Sequence, residues 1–223
     1  MRDLISDISK SSDLDETAFL TILSESDVIT ALNIAEAVKT KIIAISELKN
    51  RVKSKELENK VRDFIYENPW IISPKWEKFQ KEKSVENIIK MCTKKHFDSY
   101  EFFNGRVDLV LSCGSGLLIV EFMRPGLKLD VDHIDRTNYY VMEVKNALKK
   151  ESASRFKHVE AAFLIADSVN DSELMQNRIE QIKNEGIFTL SWNTLIEESI
   201  KQWEDFLKIL KLRHPTDPRL QEL

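Results

Sequence analysis

With 223 residues, 42% of them hydrophobic and 31% charged, the chain has the make-up of an ordinary soluble globular protein: one large domain, or one domain with an appendage. A formal charge of −4 does not mark it as a general nucleic-acid binder, but it leaves room for a local basic patch. Two cysteines, Cys92 and Cys113, make neither a disulfide framework nor a zinc site. No apolar run approaches the roughly 20 residues of a membrane span, and the acidic first residues, Met1 to Asp7, lack the apolar region of a signal peptide. A cytoplasmic protein with no membrane partner is expected.

No glycine precedes Gly105 and no proline precedes Pro69, so the leader reads as helical. Leu14 to Leu23 follows the N-cap candidates Ser11, Ser12 and Asp13, and Ser24 to Asp27 then punctuates. A longer pattern follows, with Val28, Ala31, Ala35, Val38, Ile42, Ile45 and Val52 at helical spacings and Lys49 in the missing slot. Its apolar stripe is narrow. That suits helix pairing, so residues 1–53 are expected to form a helical N-terminal arm that makes a homo-oligomer; the plainer alternative is a helix packed on the domain.

Residues 54–212 read as the main domain. A helix is expected from Lys55 to Asn68, with Leu57, Val61, Phe64 and Ile65 on one face, Glu58 bordering it, and Pro69 ending it. Lysine-rich Lys75 to Lys95 reads as a helix with a solvated basic face, or else as a DNA-facing surface. Tyr100 to Phe103 reads as a first strand. Val107 to Leu111 and Leu117 to Met123 are short, aliphatic and joined through Ser112-Cys113-Gly114-Ser115-Gly116, which predicts a β-hairpin. After Pro125-Gly126, Asp130 or Asp132 can cap a helix running to about Lys150, with Ile134, Val141, Val144 and Leu148 inward and Arg136 and Tyr140 sharing a face. A strand at Val159 to Ala166, a helix at Ser172 to Asn184 stopped by Gly186, a strand at Ile187 to Trp192 and a helix at Leu195 to Leu212 complete the domain; residues 213–223 are a polar tail. The order predicts an α/β sandwich with a mixed sheet.

Each hairpin strand carries one carboxylate, Asp108 and Glu121. A carboxylate in a buried strand is costly unless it is paired or binds a metal. If the two share a face they can chelate one hard divalent cation. The plainer reading pairs Asp108 with Arg106 or Arg136 and leaves Met123 as core packing. Asp130 and His133, spaced i, i+3, could also form a metal group, although acidic residues at a helix start more often serve the helix dipole. Lys145, Lys149, Lys150, Arg155 and Lys157 could track phosphates or form a solvated helix end.

An aspartate on one strand and a glutamate on the next, behind a helix bearing a glutamate, resembles the PD-(D/E)xK nuclease superfamily across roughly Lys55 to Leu212. The segments Glu58-Asn-Lys-Val-Arg-Asp-Phe-Ile-Tyr-Glu-Asn-Pro-Trp70, Arg106-Val-Asp108 and Ile119-Val-Glu-Phe-Met-Arg-Pro125 are most similar to Shedu-type antiphage nuclease domains, and to similar domains appended to Hsp90-like ATPases. The resemblance implies a restriction-endonuclease-like mixed sheet flanked by helices. It also implies Mg²⁺- or Mn²⁺-dependent hydrolysis of DNA in bacterial antiphage defence, and an ATPase module or partner. Asp108 and Glu121 would be metal ligands, Glu58 a further catalytic group, and Arg106, Arg124, Lys128, Arg136 and Tyr140 substrate-binding. The family's lysine position is Met123, which can neither deprotonate water nor stabilise a developing anion. The alternative is therefore a catalytically inactive nuclease fold that binds nucleic acid or protein and dimerises through the leader.

Overall fold

The computed structural model describes residues 16–93, 105–150, 154–169, 172–216 and 218, with the side chains of 16–24 and 210 left out. The strand expected at Tyr100 to Phe103 lies outside these residues. In order the elements are α1 (Glu16–Lys53), α2 (Glu58–Glu67), a short 3-10 turn (Pro69–Ile71), β1 (Glu77–Ser84), α3 (Val85–Thr93), β2 (Arg106–Cys113) and β3 (Gly116–Phe122). Then follow β4 (Lys128–Leu129), α4 (Val131–Lys150), β5 (His158–Ala166), β6 (Ser168–Val169), α5 (Glu173–Asn184), β7 (Ile187–Ser191) and α6 (Trp192–Arg213). None of the described helices is long and apolar enough to cross a membrane.

The chain divides into two compact units, one taking in residues up to Ala44 and from Lys201 on, the other Ile45–Ile200. In the first unit Val28, Ala31, Ala35 and Val38 of α1 are buried. Leu207 of α6 packs against Ala31 and Ala35, and Lys41 Nζ lies 4.8 Å from the centre of the Trp203 ring. Ser24 to Asp27 does not break the leader, which is one helix from Glu16 to Lys53. Serine and aspartate cost a helix only about 0.5–0.7 kcal/mol each at exposed positions, and Thr30 Oγ1 donates to the Ser26 carbonyl at 2.9 Å within the helix.

The second unit is built on a five-stranded sheet of order β1-β2-β3-β5-β7. β1, β2 and β3 pair antiparallel; β3, β5 and β7 pair parallel. The fold is thus mixed α/β, as the element order predicts. All of β3 is buried, because it is hydrogen-bonded on both sides and covered on both faces. Ile88 and Ile89 of α3, Ile134, Val141 and Val144 of α4 and Met175 and Ile182 of α5 form one core with Leu117, Ile119 and Met123. Side chains alternate along a strand, so Phe122 faces the other way. It stacks on Trp192, with ring centroids 5.6 Å apart and planes 9° from parallel.

Two expectations are corrected here. Lys75 to Lys95 is not one helix: among its described residues Glu77–Ser84 is the edge strand β1 and Val85–Thr93 is helical. Pairing with β2 supplies the stability that the Glu-Lys-Phe-Gln-Lys-Glu-Lys-Ser sequence lacks by propensity, and lysines on an edge discourage a further strand from adding. Lys55 is not helical either. It sits in a loop with φ +55, and α2 begins at Glu58 with Leu57 half exposed rather than on the apolar face. In this unit Leu48, not Lys49, follows Ile45 on the buried stripe of α1.

Candidate functional site

The hairpin turns through Gly114 and Ser115, and its ladder runs from Cys113–Gly116 outward to Leu109–Val120. One step further out stand Asp108 and Glu121. Here side chains take over from the backbone ladder. The amide of Asp108 donates to Glu121 Oε1 at 3.1 Å, and the amide of Phe122 donates to Asp108 Oδ2 at 2.9 Å. Each carboxylate therefore has one oxygen held by a backbone amide of the opposite strand.

The environment resists charge on both. Burial pushes the Asp108 carboxyl up to about 6, and the charge of Glu58 adds to the rise, while the Phe122 amide, Arg62 and Arg136 oppose it. Burial also pushes Glu121 well above the usual carboxylate range, with the Asp108 charge as the next cause; the Asp108 amide and Arg136 oppose that shift. A buried carboxylate beside a part-buried one relieves such stress by keeping a proton or by accepting a cation.

Both carboxylates open on a cleft of about 490 Å³. Glu58, the first residue of α2, lines it together with Arg106, Arg136 and Tyr140. Gly105, Phe122 and His133 complete the lining. Of the residues expected from sequence, six therefore meet in this cleft: Glu58, Arg106, Asp108, Glu121, Arg136 and Tyr140. Arg124 and Lys128 do not line it. Arg124 is exposed and its Nη2 donates to the Lys55 carbonyl at 3.4 Å. Lys128 is exposed on β4, which pairs with β6. Met123 is 5% exposed and belongs to the core, outside the cleft lining.

Sequence reasoning did not bring three contributors to this site. Gly105 packs so closely on Tyr140 that an added Cβ would fall within the tyrosine ring. His133 lines the cleft instead of forming a separate metal group. Its amide donates to Asp130 Oδ1 at 2.8 Å and its Nδ1 lies 2.6 Å from the same oxygen, so Asp130 serves as a helix-start partner. Arg62, one turn after Glu58, is 4% exposed and places Nη1 3.8 Å from Asp108 Oδ1. Its spacing of four from Glu58 was the available signal.

Among the described residues no group of three or more His, Cys, Asp or Glu side chains is arranged to hold a metal ion. The donor set that fits a hard cation is the Asp108–Glu121 pair, which would need backbone carbonyls or water to complete a shell. Among the described residues no lysine lines the cleft. No protein-family model matches the chain, and no curated protein sequence matches it.

Proposed function

We propose that the chain is a nuclease-like domain of the PD-(D/E)xK type, with a restriction-endonuclease-like arrangement, acting on DNA with Mg²⁺ or Mn²⁺ in bacterial antiphage defence. One observation carries this reading: Asp108, part-buried, and Glu121, buried, stand side by side, each with one oxygen fixed by an amide of the opposite strand. That is a poor arrangement for two bare charges and a suitable one for a divalent cation. A cation bound there acidifies water and offsets charge on a phosphodiester. The chain's own residues do the rest. Asp108 and Glu121 hold, Glu58 orients the water network from the start of α2, and Arg106 and Arg136 draw the phosphate into the cleft. Tyr140, against Gly105, walls one side.

Met123 favours a second reading, a nuclease fold that binds nucleic acid or protein without cutting. Its side chain lies in the core, and among the described residues no lysine stands in for it in the cleft. The two readings separate in one assay: plasmid DNA with Mg²⁺ or Mn²⁺, beside Asp108→Ala. Cleavage lost in the variant supports the first. No cleavage by the parent, with retained DNA binding, supports the second. Self-association through α1 and an ATPase module as partner belong to the same proposal; Ile29, Ile34 and Ile43 of α1 are exposed. Sedimentation of the full chain as a monomer would remove the self-association.

A further inference from the structure

A row of three carboxylates crosses the antiparallel half of the sheet. Glu82 lies between the β1–β2 pairs Lys81–Leu109 and Lys83–Val107, across from Asp108. Asp108 lies beside Glu121, one step beyond the Leu109–Val120 pair. Like charges on neighbouring strands repel. The first gap in the row holds a cation: Arg62 Nη1 is 2.9 Å from Glu82 Oε1 and 3.8 Å from Asp108 Oδ1. In the second gap, among the described residues, no cationic side chain lies within ion-pair distance of Glu121.

The two distances from Arg62 are unequal in a way that matters. At 2.9 Å the contact with Glu82 is a close ion pair; at 3.8 Å the contact with Asp108 is a longer, weaker one. An arginine free to move would close on a buried carboxylate and occupy its oxygen. Arg62 is tethered on the other side instead. Nη2 lies 3.5 Å from Asp63 Oδ1, and Nε is buried without a hydrogen-bond partner, so the guanidinium is not placed to suit itself. Glu82, which holds it, has φ +49, a backbone region that non-glycine residues occupy only where their surroundings keep them there.

We infer that Arg62 is a positioning residue for Asp108 and that Glu82 sets its reach: tied to Glu82, the guanidinium offsets the charge of Asp108 without covering Oδ1, which stays open for a divalent cation shared with Glu121. The inference rests on the proposed function for the cation, whereas the tether stands on geometry alone. Arg62 lies too deep to touch a substrate directly.

Two measurements test it. The first is a crystal structure of Glu82→Gln; Glu82 is half exposed, so the variant should fold. The second is calorimetric Mn²⁺ binding by the wild type, Glu82→Gln and Glu82→Gln/Arg62→Met, with Glu82→Gln/Arg62→Lys in reserve should the methionine variant not fold. With the tether cut, Nη1 is expected to move from 3.8 Å to hydrogen-bond distance of Asp108 Oδ1, and Mn²⁺ binding to weaken about tenfold. Shortening or removing the arginine in the same background should restore most of that affinity, which loss of structure would not do. An unmoved arginine overturns the inference, and so does weakened binding that the second substitution fails to rescue. If the wild type binds no Mn²⁺, the proposed metal chemistry fails by itself, and the position of Arg62 in Glu82→Gln decides this inference alone.

Discussion

The amide of Asp108 donates to Glu121 Oε1 at 3.1 Å, so the backbone of one candidate ligand is fixed by the side chain of the other. Stability should therefore respond to the charge on this pair. Asp108 titrates near 6 in the folded protein against an ordinary 3.8. The folded state holds the proton more tightly than the unfolded chain. The stabilisation is complete below about pH 4 and is lost as pH rises through 6. The metal-free melting temperature should fall across that interval more steeply for the wild type than for Asp108→Asn, and millimolar Mg²⁺ should recover it at pH 7 for the wild type only. Parallel profiles for the two proteins would count against a strained, ionised pair.

Gly105 is a packing requirement of the cleft wall. Gly105→Ala should destabilise the protein by about 1–3 kcal/mol, since the added methyl needs space held by the Tyr140 ring. Denaturant melts measure this. A Tyr140→Ala background should make the same substitution much cheaper, and an equal cost in both backgrounds would show that the clash is not the cause.

Installing at residue 123 the lysine of PD-(D/E)xK nucleases should fail. Met123 is packed with Leu129 and Ile134 in the core, so Met123→Lys buries an ammonium group at a cost of roughly 2–5 kcal/mol and should not raise cleavage. Met123→Leu should cost less than about 1.5 kcal/mol. A stable, more active lysine variant would mean that residue 123 reaches the cleft after all.

Arg136 should set the salt dependence of DNA binding. Its charge acts on both Asp108 and Glu121, and it lines the cleft while remaining exposed. On the proposed DNA-binding reading, replacing it with alanine takes away one phosphate contact, so the slope of log K against log salt should fall by about one unit. Fluorescence anisotropy across a salt series reads this directly. Arg124→Ala, outside the cleft, is the control that should leave the slope unchanged.

Much of this site can be read from particular residues. Asp108 and Glu121 sit in aliphatic runs joined through a glycine turn, and strand alternation alone suggests that they meet. Arg62 is different. Whether α2 presents Glu58, Arg62 or both to β2 depends on how that helix lies over the sheet, which no local pattern encodes. β1 was obscured for a related reason. Its lysines give a helix-like composition, and its pairing partner lies beyond α3 in the chain. Met123 shows the converse: two-residue periodicity places it with Glu121, and it does share that face, but the strand ends at Phe122 and its side chain joins the core.

The turn at Gly114 and Ser115 reaches further than its position suggests. It is two residues long, with Gly114 at φ +56, and such turns fix which residues stand opposite one another. If the ladder absorbed one extra residue there, every side chain beyond it on β3 would change faces. Glu121 would be driven against Trp192, and the Phe122 side chain would take its place beside Asp108. The turn lies roughly 20 Å from the carboxylates, at about 3.3 Å per residue, and touches nothing in the cleft. Selection for the chemistry of this site would therefore act on the length of a distant surface turn.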